Sequence, residues 1–133
     1  RERQRRRADH QINDRLIGRI HLLQRRLIRH AGRQLPRRLR NRGLHILGRC
    51  YLSLHRDAEA LSCLQQALSC YLATGNRRRQ AATLRSLGVA QNRVGLAAEA
   101  RESLAQAAVI FTELGDIAQA EEIGAEQAES GIS

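Results

Sequence analysis

Few residues of this chain have the type and spacing that catalysis or metal binding requires. Cys63 and Cys70 lie seven residues apart on one helical face, and Cys50 precedes both. A structural zinc site takes four Cys or His ligands, and neither this spacing nor that of the five histidines supplies such a set. Glu121 and Glu122 are adjacent, so their carboxylates point apart on a helix. We therefore expect no enzyme activity, metal or cofactor, and interpret the cysteines as small apolar packing residues.

Arginine is the other side chain that could do chemistry, and it is concentrated in the first third of the chain. All 23 basic residues are Arg, and residues 1–42 hold fifteen of them against three acids, a formal charge of +12. Residues 43–133 carry a formal charge of −2. Arginines on one helix can neutralise phosphates, so nucleic-acid binding through this third is one hypothesis. No helix-turn-helix, zinc finger or aromatic stacking platform is recognisable, so we expect such binding to be non-specific.

Two other interpretations of the basic third remain. It could contact acidic surfaces, either of an upstream domain or of a neighbouring protomer. A basic amphipathic helix can also lie on a membrane surface, but its apolar face is needed to pack the first hairpin, so we expect no membrane partner.

Composition favours one all-α domain. The chain has 133 residues, of which 42% are apolar but only 2% are aromatic, and it has one proline. Its core must therefore be built from Leu, Ile and Ala, while the residues that favour strands are scarce. No apolar run is long enough to span a bilayer, and an odd number of cysteines favours a reducing, cytoplasmic compartment. Because the sequence begins with Arg1 rather than Met, we expect a fragment of a longer protein.

Periodicity and helix-breaking residues predict six helices. Residues 1–9 are a like-charge run that we expect to be a frayed arm. The first helix starts at about His10, and its predicted inward face consists of Ile12, Leu16, Ile20, Leu23 and Leu27. Gly32 is its expected stop, and Pro36 suits the first turn of the second helix. The second helix is predicted to run from about Pro36 to Leu54, and the later helices over residues 57–73, 77–93, 97–113 and 117–129.

Turn residues separate the later helices. Gly75 and Gly115 are expected to end two helices with positive φ, and Asn76 and Asp116 are expected to cap the helices that follow. The loops are short, which predicts antiparallel neighbours.

Two segments forty residues apart have nearly the same sequence. DAEALSCLQQALSCYLATGN covers residues 57–76, and AAEARESLAQAAVIFTELGD covers residues 97–116. Self-similarity at a fixed period indicates a repeated structural unit. In each unit two helices would cross closely, with small residues at the crossing and large residues around it. The residues expected to pack the two units are Leu47, Gly48, Tyr51, Ala60, Leu64, Ala67, Leu87, Gly88, Ala100, Leu104 and Ala107.

The order of these residues resembles the tetratricopeptide repeat, whose pattern is W-x2-L-G-x2-Y followed by A-x3-F and a small residue. Leu44 and Leu84 stand for the tryptophan, and Gln91 departs from the tyrosine. The resemblance covers residues 41–116 and is degenerate over residues 10–40. The 40-residue period is similar to the long repeats of bacterial regulators of the AfsR/SARP type, of signal-transduction ATPases and of kinesin light chains.

This resemblance implies a right-handed solenoid of antiparallel helical hairpins, in which residues 117–133 form a capping helix. It also implies a protein-binding scaffold or sensor that belongs to a larger bacterial transcriptional regulator or signalling protein. In the family, the first helix of each hairpin lines a concave face. The corresponding positions here are Arg42, His45, Arg49, Leu52, Ala82, Arg85, Ser86, Val89, Asn92 and Arg93.

On that face, the charges of Arg42, Arg49 and Arg85 would form a positive lining. Arginine binds carboxylates through bidentate hydrogen bonds. An acidic peptide or protein segment is therefore the expected partner. The alternative is that these arginines merely solvate a helix surface. The sequence leaves self-association open.

Overall fold

The computed structural model describes residues 1–31 and 37–129, with side chains at 1–26 and 40–128. Within these ranges the chain forms six helices and no strand, so the all-α prediction is confirmed there. The helices are α1 (Glu2–Ala31), α2 (Arg37–Ser53), α3 (Asp57–Thr74), α4 (Arg77–Arg93), α5 (Ala97–Glu113) and α6 (Ile117–Glu129). The last five lie within one residue of their predicted bounds. The predicted roles of Gly32 and Pro36, and residues 130–133, lie outside the described part.

Each helix packs against the next one in the chain, and α2 also contacts α4. Helices α4 and α5 are antiparallel, because residue numbers rise along one as they fall along the other. Arg77, at the start of α4, pairs with Glu113 at the end of α5. Near the other end, the hydroxyl of Ser103 donates to Gln91 Oε1 at 2.7 Å. The pair α2–α3 runs the same way, so the middle of the chain consists of two helical hairpins.

In each hairpin, the two helices cross at a glycine of the first helix, which lies against a leucine of the second helix. A Cβ atom added to Gly48 would lie 2.6 Å from Leu64 Cγ, and one added to Gly88 would lie 2.7 Å from Leu104 Cγ. The two crossings are forty residues apart and have matching geometry. All the packing residues predicted from the repeat are buried: Leu47, Gly48, Tyr51, Ala60, Leu64, Ala67, Leu87, Gly88, Ala100, Leu104 and Ala107.

The predicted turns and caps are also present. Gly75 has φ 69° in the left-handed region, and its N–H donates to the Tyr71 carbonyl at the end of α3. Asn76 Oδ1 accepts from the backbone N–H of Arg79, three residues into α4. Such side-chain caps satisfy amides that the first helical turn leaves without a partner.

Helix α1 differs from its prediction in two respects. It begins at Glu2, so the expected frayed arm over residues 1–9 is helical. Its inward face is also rotated, because Ile12, Leu16 and Leu23 are 57%, 43% and 51% exposed. Only Ile20, of the predicted inward residues whose side chains are described, packs against the core.

The face of α1 that turns inward carries the partner of one buried hydroxyl. Tyr51 is fully buried, and its hydroxyl donates to Gln24 Oε1 at 2.8 Å. A buried hydroxyl without a partner costs about 1–3 kcal/mol, so this bond favours the orientation in which Gln24 faces inward. His21 contacts the Tyr51 ring edge-on from the same face, with ring centroids 5.8 Å apart. The apolar ridge through Ile12 and Leu16 is left on the surface.

Gly88→Ala tests the crossing. Alanine in a helix interior normally stabilises by about 0.5–1 kcal/mol relative to glycine. Here the new methyl group would meet Leu104 and lie 3.3 Å from the Ala100 carbonyl oxygen, so overpacking outweighs that gain. We expect a net loss of about 1–2 kcal/mol in unfolding free energy, measured by urea denaturation.

Gly124→Ala is the matched control. Gly124 is also helical, and an added Cβ would meet nothing within 4 Å. This variant should be as stable as the parent chain or gain up to about 1 kcal/mol. Equal responses of the two variants would contradict the close-crossing interpretation.

Candidate partner-binding groove

A groove of about 570 Å³ runs between α2 and α4, with walls from α5 and α6. It contains most of the positions that the sequence predicts for a concave face. Its lining residues are His45, Arg49, Leu52, Ser53, Ala82, Arg85, Ser86, Val89, Phe111, Gln119 and Glu126. The structure therefore brings seven predicted residues from two helices into one surface, to which α5 and α6 add further residues.

Arg85 does not provide the free positive charge that the sequence predicts. Its guanidinium donates to Gln119 and Glu126, and lies 3.4 Å from Glu122 Oε2. All three acceptors belong to α6. The two carboxylates outweigh the single guanidinium at this end of the groove, so the positive lining is limited to the side of Arg49.

Arg93 and Asn92 do not line the groove. Arg93 donates to the Leu52 carbonyl oxygen at 2.8 Å and to Asp57 Oδ1 at 3.3 Å. It thus joins the end of α4 to the end of α2 and the start of α3. Asn92 is exposed. Within the chain, Arg93 therefore links the two hairpins, and its predicted contact with a partner stays a prediction.

Arg49 is the groove arginine that has no acidic partner among the described side chains. It is exposed, whereas Arg85 in the same groove is held by α6. Arg42, also predicted for this face, and Arg79 are not among the lining residues, and neither forms an ion pair among the described side chains. The charges of Arg49 and Arg79 act on His45, and those of Arg42 and Arg79 act on Tyr71, which contacts His45. These three arginines around the His45–Tyr71 pair are called the cationic cluster below.

His45 lies within this cationic cluster. It is 8% exposed, and its ring meets Tyr71 edge-on with centroids 6.4 Å apart. Burial lowers the pKa of His45 from 6.5 to about 4, and the positive charges of Arg49 and Arg79 act in the same direction. The imidazole is therefore neutral at physiological pH, and it does not add to the charge of the cluster.

The cysteines are free thiols inside the packing. Cys63 is fully buried, as predicted, and burial followed by the charge of Glu59 raises the pKa of its thiol. Cys50 and Cys70 are half-buried. Among the described side chains, no three His, Cys, Asp or Glu residues come close enough to hold a metal ion.

Sequence reasoning missed the contribution of α6 to the groove. The repeat resemblance assigns residues 117–133 only a capping role, although the forty-residue register continues into them. Shifted by forty, the concave positions Ala82 and Ser86 become Glu122 and Glu126. Applying the register once more would therefore have placed both acids beside the groove.

In comparisons with protein-family models, with curated proteins and with solved structures, no match to this chain was found. Across the described residues, none of the helices combines the length and the apolar character needed to cross a bilayer.

The buried His45 makes stability depend on pH. Because its pKa is lowered to about 4, the unfolded chain binds a proton between pH 6.5 and 4 that the folded chain does not. We expect this group to contribute stability near pH 7 and to lose on the order of 1–2 kcal/mol of it by pH 5.

The measurement is urea denaturation of the parent chain and of His45→Gln at pH 7 and pH 5. The variant should lose less stability than the parent between the two pH values. His10→Gln, at an exposed position of α1, is the control and should behave as the parent. An identical pH response of parent and His45→Gln would contradict the assignment.

Proposed function

We propose that this chain is a protein-recognition module whose α2–α4 groove binds an acidic segment of another protein. The proposed architecture is a short solenoid of tetratricopeptide type. Two observations support that architecture: the matching Gly–Leu crossings of the two hairpins, and the contact of α2 with α4. Stacked hairpins of this kind expose an extended surface along their first helices.

The observation that carries the proposal is the difference between the two arginines of the groove. Arg85 is held by α6, whereas Arg49 has no acidic partner among the described residues. Arg49 offers charged donors to a carboxylate, and Arg42 and Arg79 add positive charge around the neighbouring His45–Tyr71 pair. The lining also includes the apolar side chains of Leu52 and Val89, on which the body of a peptide could pack.

The charges also give the proposed ligand a direction. The α2 end of the groove is cationic, and the α6 end carries Glu122 and Glu126. A peptide that is acidic at one end and neutral or basic at the other should bind with its acidic end near Arg49 and its other end near α6. The reversed segment would place like charges together, which costs binding free energy.

Arg49→Ala should weaken binding of such a segment. A charge-assisted hydrogen bond contributes about 1.5–3 kcal/mol, and Arg49 is exposed, so we expect a loss at the low end of this range, about tenfold in affinity. Fluorescence anisotropy with a labelled peptide, acidic over its first half, measures this directly.

Arg101→Ala is the matched control, because Arg101 is an exposed arginine of α5 outside the groove and forms no ion pair among the described side chains. It should leave the affinity within about twofold of the parent value, as expected for a distant surface charge. If both variants weaken binding equally, the peptide is responding only to the net charge of +10, and the groove proposal is wrong.

A second candidate function is non-specific nucleic-acid binding by α1. The observation that favours it is that α1 is helical from Glu2 and exposes its arginines over its first half. Arg3, Arg5 and Arg7 have no acidic partner among the described side chains. They could follow a phosphate backbone, since such contacts need no particular base sequence.

Changing Arg3, Arg5 and Arg7 together to Gln tests this candidate. If α1 binds duplex DNA, the slope of log K against log salt should fall by about 2 to 3, roughly 0.9 for each phosphate that is no longer neutralised. Anisotropy titrations at several salt concentrations between about 50 and 200 mM would measure it. Arg49→Ala is the control and should leave the slope unchanged. Equal slopes for the parent and the triple variant would exclude α1 as the DNA-binding element.

A further inference from the structure

Three positions of α6 are exposed although their counterparts one and two repeats earlier are buried. The α6 residues are Glu121, Gly124 and Ala128. Their counterparts are Asn41, Leu44 and Gly48 in α2, and Ala81, Leu84 and Gly88 in α4. In α2 and α4 the glycine position is covered by the next helix of the hairpin, through Leu64 and Leu104. No described helix covers this face of α6.

Helix α1 has an uncovered face of the opposite character. Ile12, Leu16 and Leu23 share one face and are 57%, 43% and 51% exposed, and Leu22 beside them is 51% exposed. The body of the protein contacts α1 through a different face, which carries Ile20, His21 and Gln24. Large apolar side chains concentrated on one helix form a patch, which differs from the scattered single residues of ordinary surfaces.

We propose that α1 of one copy of this chain docks along the uncovered face of α6 of a second copy. Helices α1 and α6 lie at opposite ends of the chain order, so each has one face without a neighbouring helix among the described residues. Each would supply the helix that the other lacks. The proposal therefore rests on the repeat architecture that we propose above, but not on the peptide groove.

Charge identifies a second copy as the occupant. Helix α1 carries nine arginines and three acids, whereas α6 carries four glutamates and no basic residue. Two α1 helices would repel each other, while α1 and α6 attract. Glu121 is exposed here but occupies a position that is buried in α2 and α4, so docking of α1 would bury its carboxylate and would need a cation opposite it. Arg15 and Arg19 flank the apolar face of α1 and can provide that cation.

The dimensions also agree. Helix α6 has 13 residues and is therefore about 20 Å long at 1.5 Å per residue. The exposed ridge of α1 from Ile12 to Leu23 spans about 17 Å by the same rise. Such an interface joins two different surfaces, so each added copy leaves one α1 and one α6 uncovered. Association should therefore continue beyond the dimer, unless the rotation between successive copies brings the last copy back to the first and closes a ring.

The test uses two full-length variants, each with one surface blocked. Leu16→Glu with Leu23→Glu blocks α1, and Glu121→Arg with Ala128→Arg blocks α6. Light scattering after size-exclusion chromatography measures the mass. The parent chain should exceed the mass of two copies as its concentration rises, and the mass should fall with added salt. Each blocked variant should run as a single copy, and circular dichroism should show unchanged helix content.

Mixing the two blocked variants distinguishes docking of α1 on α6 from association through any other surface. An equimolar mixture should form a species of two copies and no larger one, because one intact α1 and one intact α6 remain. Leu72→Glu, at a 55% exposed position of α3, is the control and should associate as the parent does. Two outcomes would overturn the proposal: a parent chain of single-copy mass at every concentration, or an α6-blocked variant that associates like the parent. The peptide titration separates this proposal from the groove proposal. If the groove binds the peptide, parent and blocked variants should bind it with the same affinity, whether or not the chain self-associates.

Discussion

The close approach of a glycine to a leucine in each hairpin is the constraint on which the rest of the structure depends. Any larger residue at Gly48 or Gly88 would push the two helices apart. Because the helices of each hairpin approach so closely, α2 and α4 come together through a shared core. That packing forms the groove, and it fixes which side chains of α2 and α4 face each other across it. The site is thus a consequence of packing at residues that no partner would touch.

Much of this fold could be predicted because its signals are local and repeated. Gly75 and Asn76 mark a boundary by their own backbone preferences, and a forty-residue copy of the same boundary gives it independent support. The inward face of α1 could not be predicted in this way. Its apolar residues cover two adjacent helical faces, and an apolar period alone does not choose between them. The face that turns inward includes Gln24, a polar residue whose partner, the Tyr51 hydroxyl, is distant in sequence.

The candidate site was predictable in position but not in charge. Register alone assigned His45, Arg49 and Arg85 to one surface. Whether an arginine is available to a partner depends on acids from other elements, and here those acids come from α3 and α6. Arg85 and Arg93 look equivalent to Arg49 in the sequence, yet both are bound within the protein. Pairing across helices follows from three-dimensional packing, which the local sequence pattern does not contain.

The bond from Arg93 to the Leu52 carbonyl links the hairpins in their unfolding as well as in their packing. The carboxyl-terminal end of α2 carries a partial negative charge, and Asp57 adds a full one at the start of α3. The guanidinium of Arg93, from α4, donates to the Leu52 carbonyl oxygen and to the Asp57 carboxylate. These two acceptors of the first hairpin therefore have this cation only while the second hairpin is folded. When stacked units are folded against each other, such a bond increases the free energy of the interface between neighbours but not the intrinsic stability of either unit. The two hairpins should therefore melt as one cooperative unit.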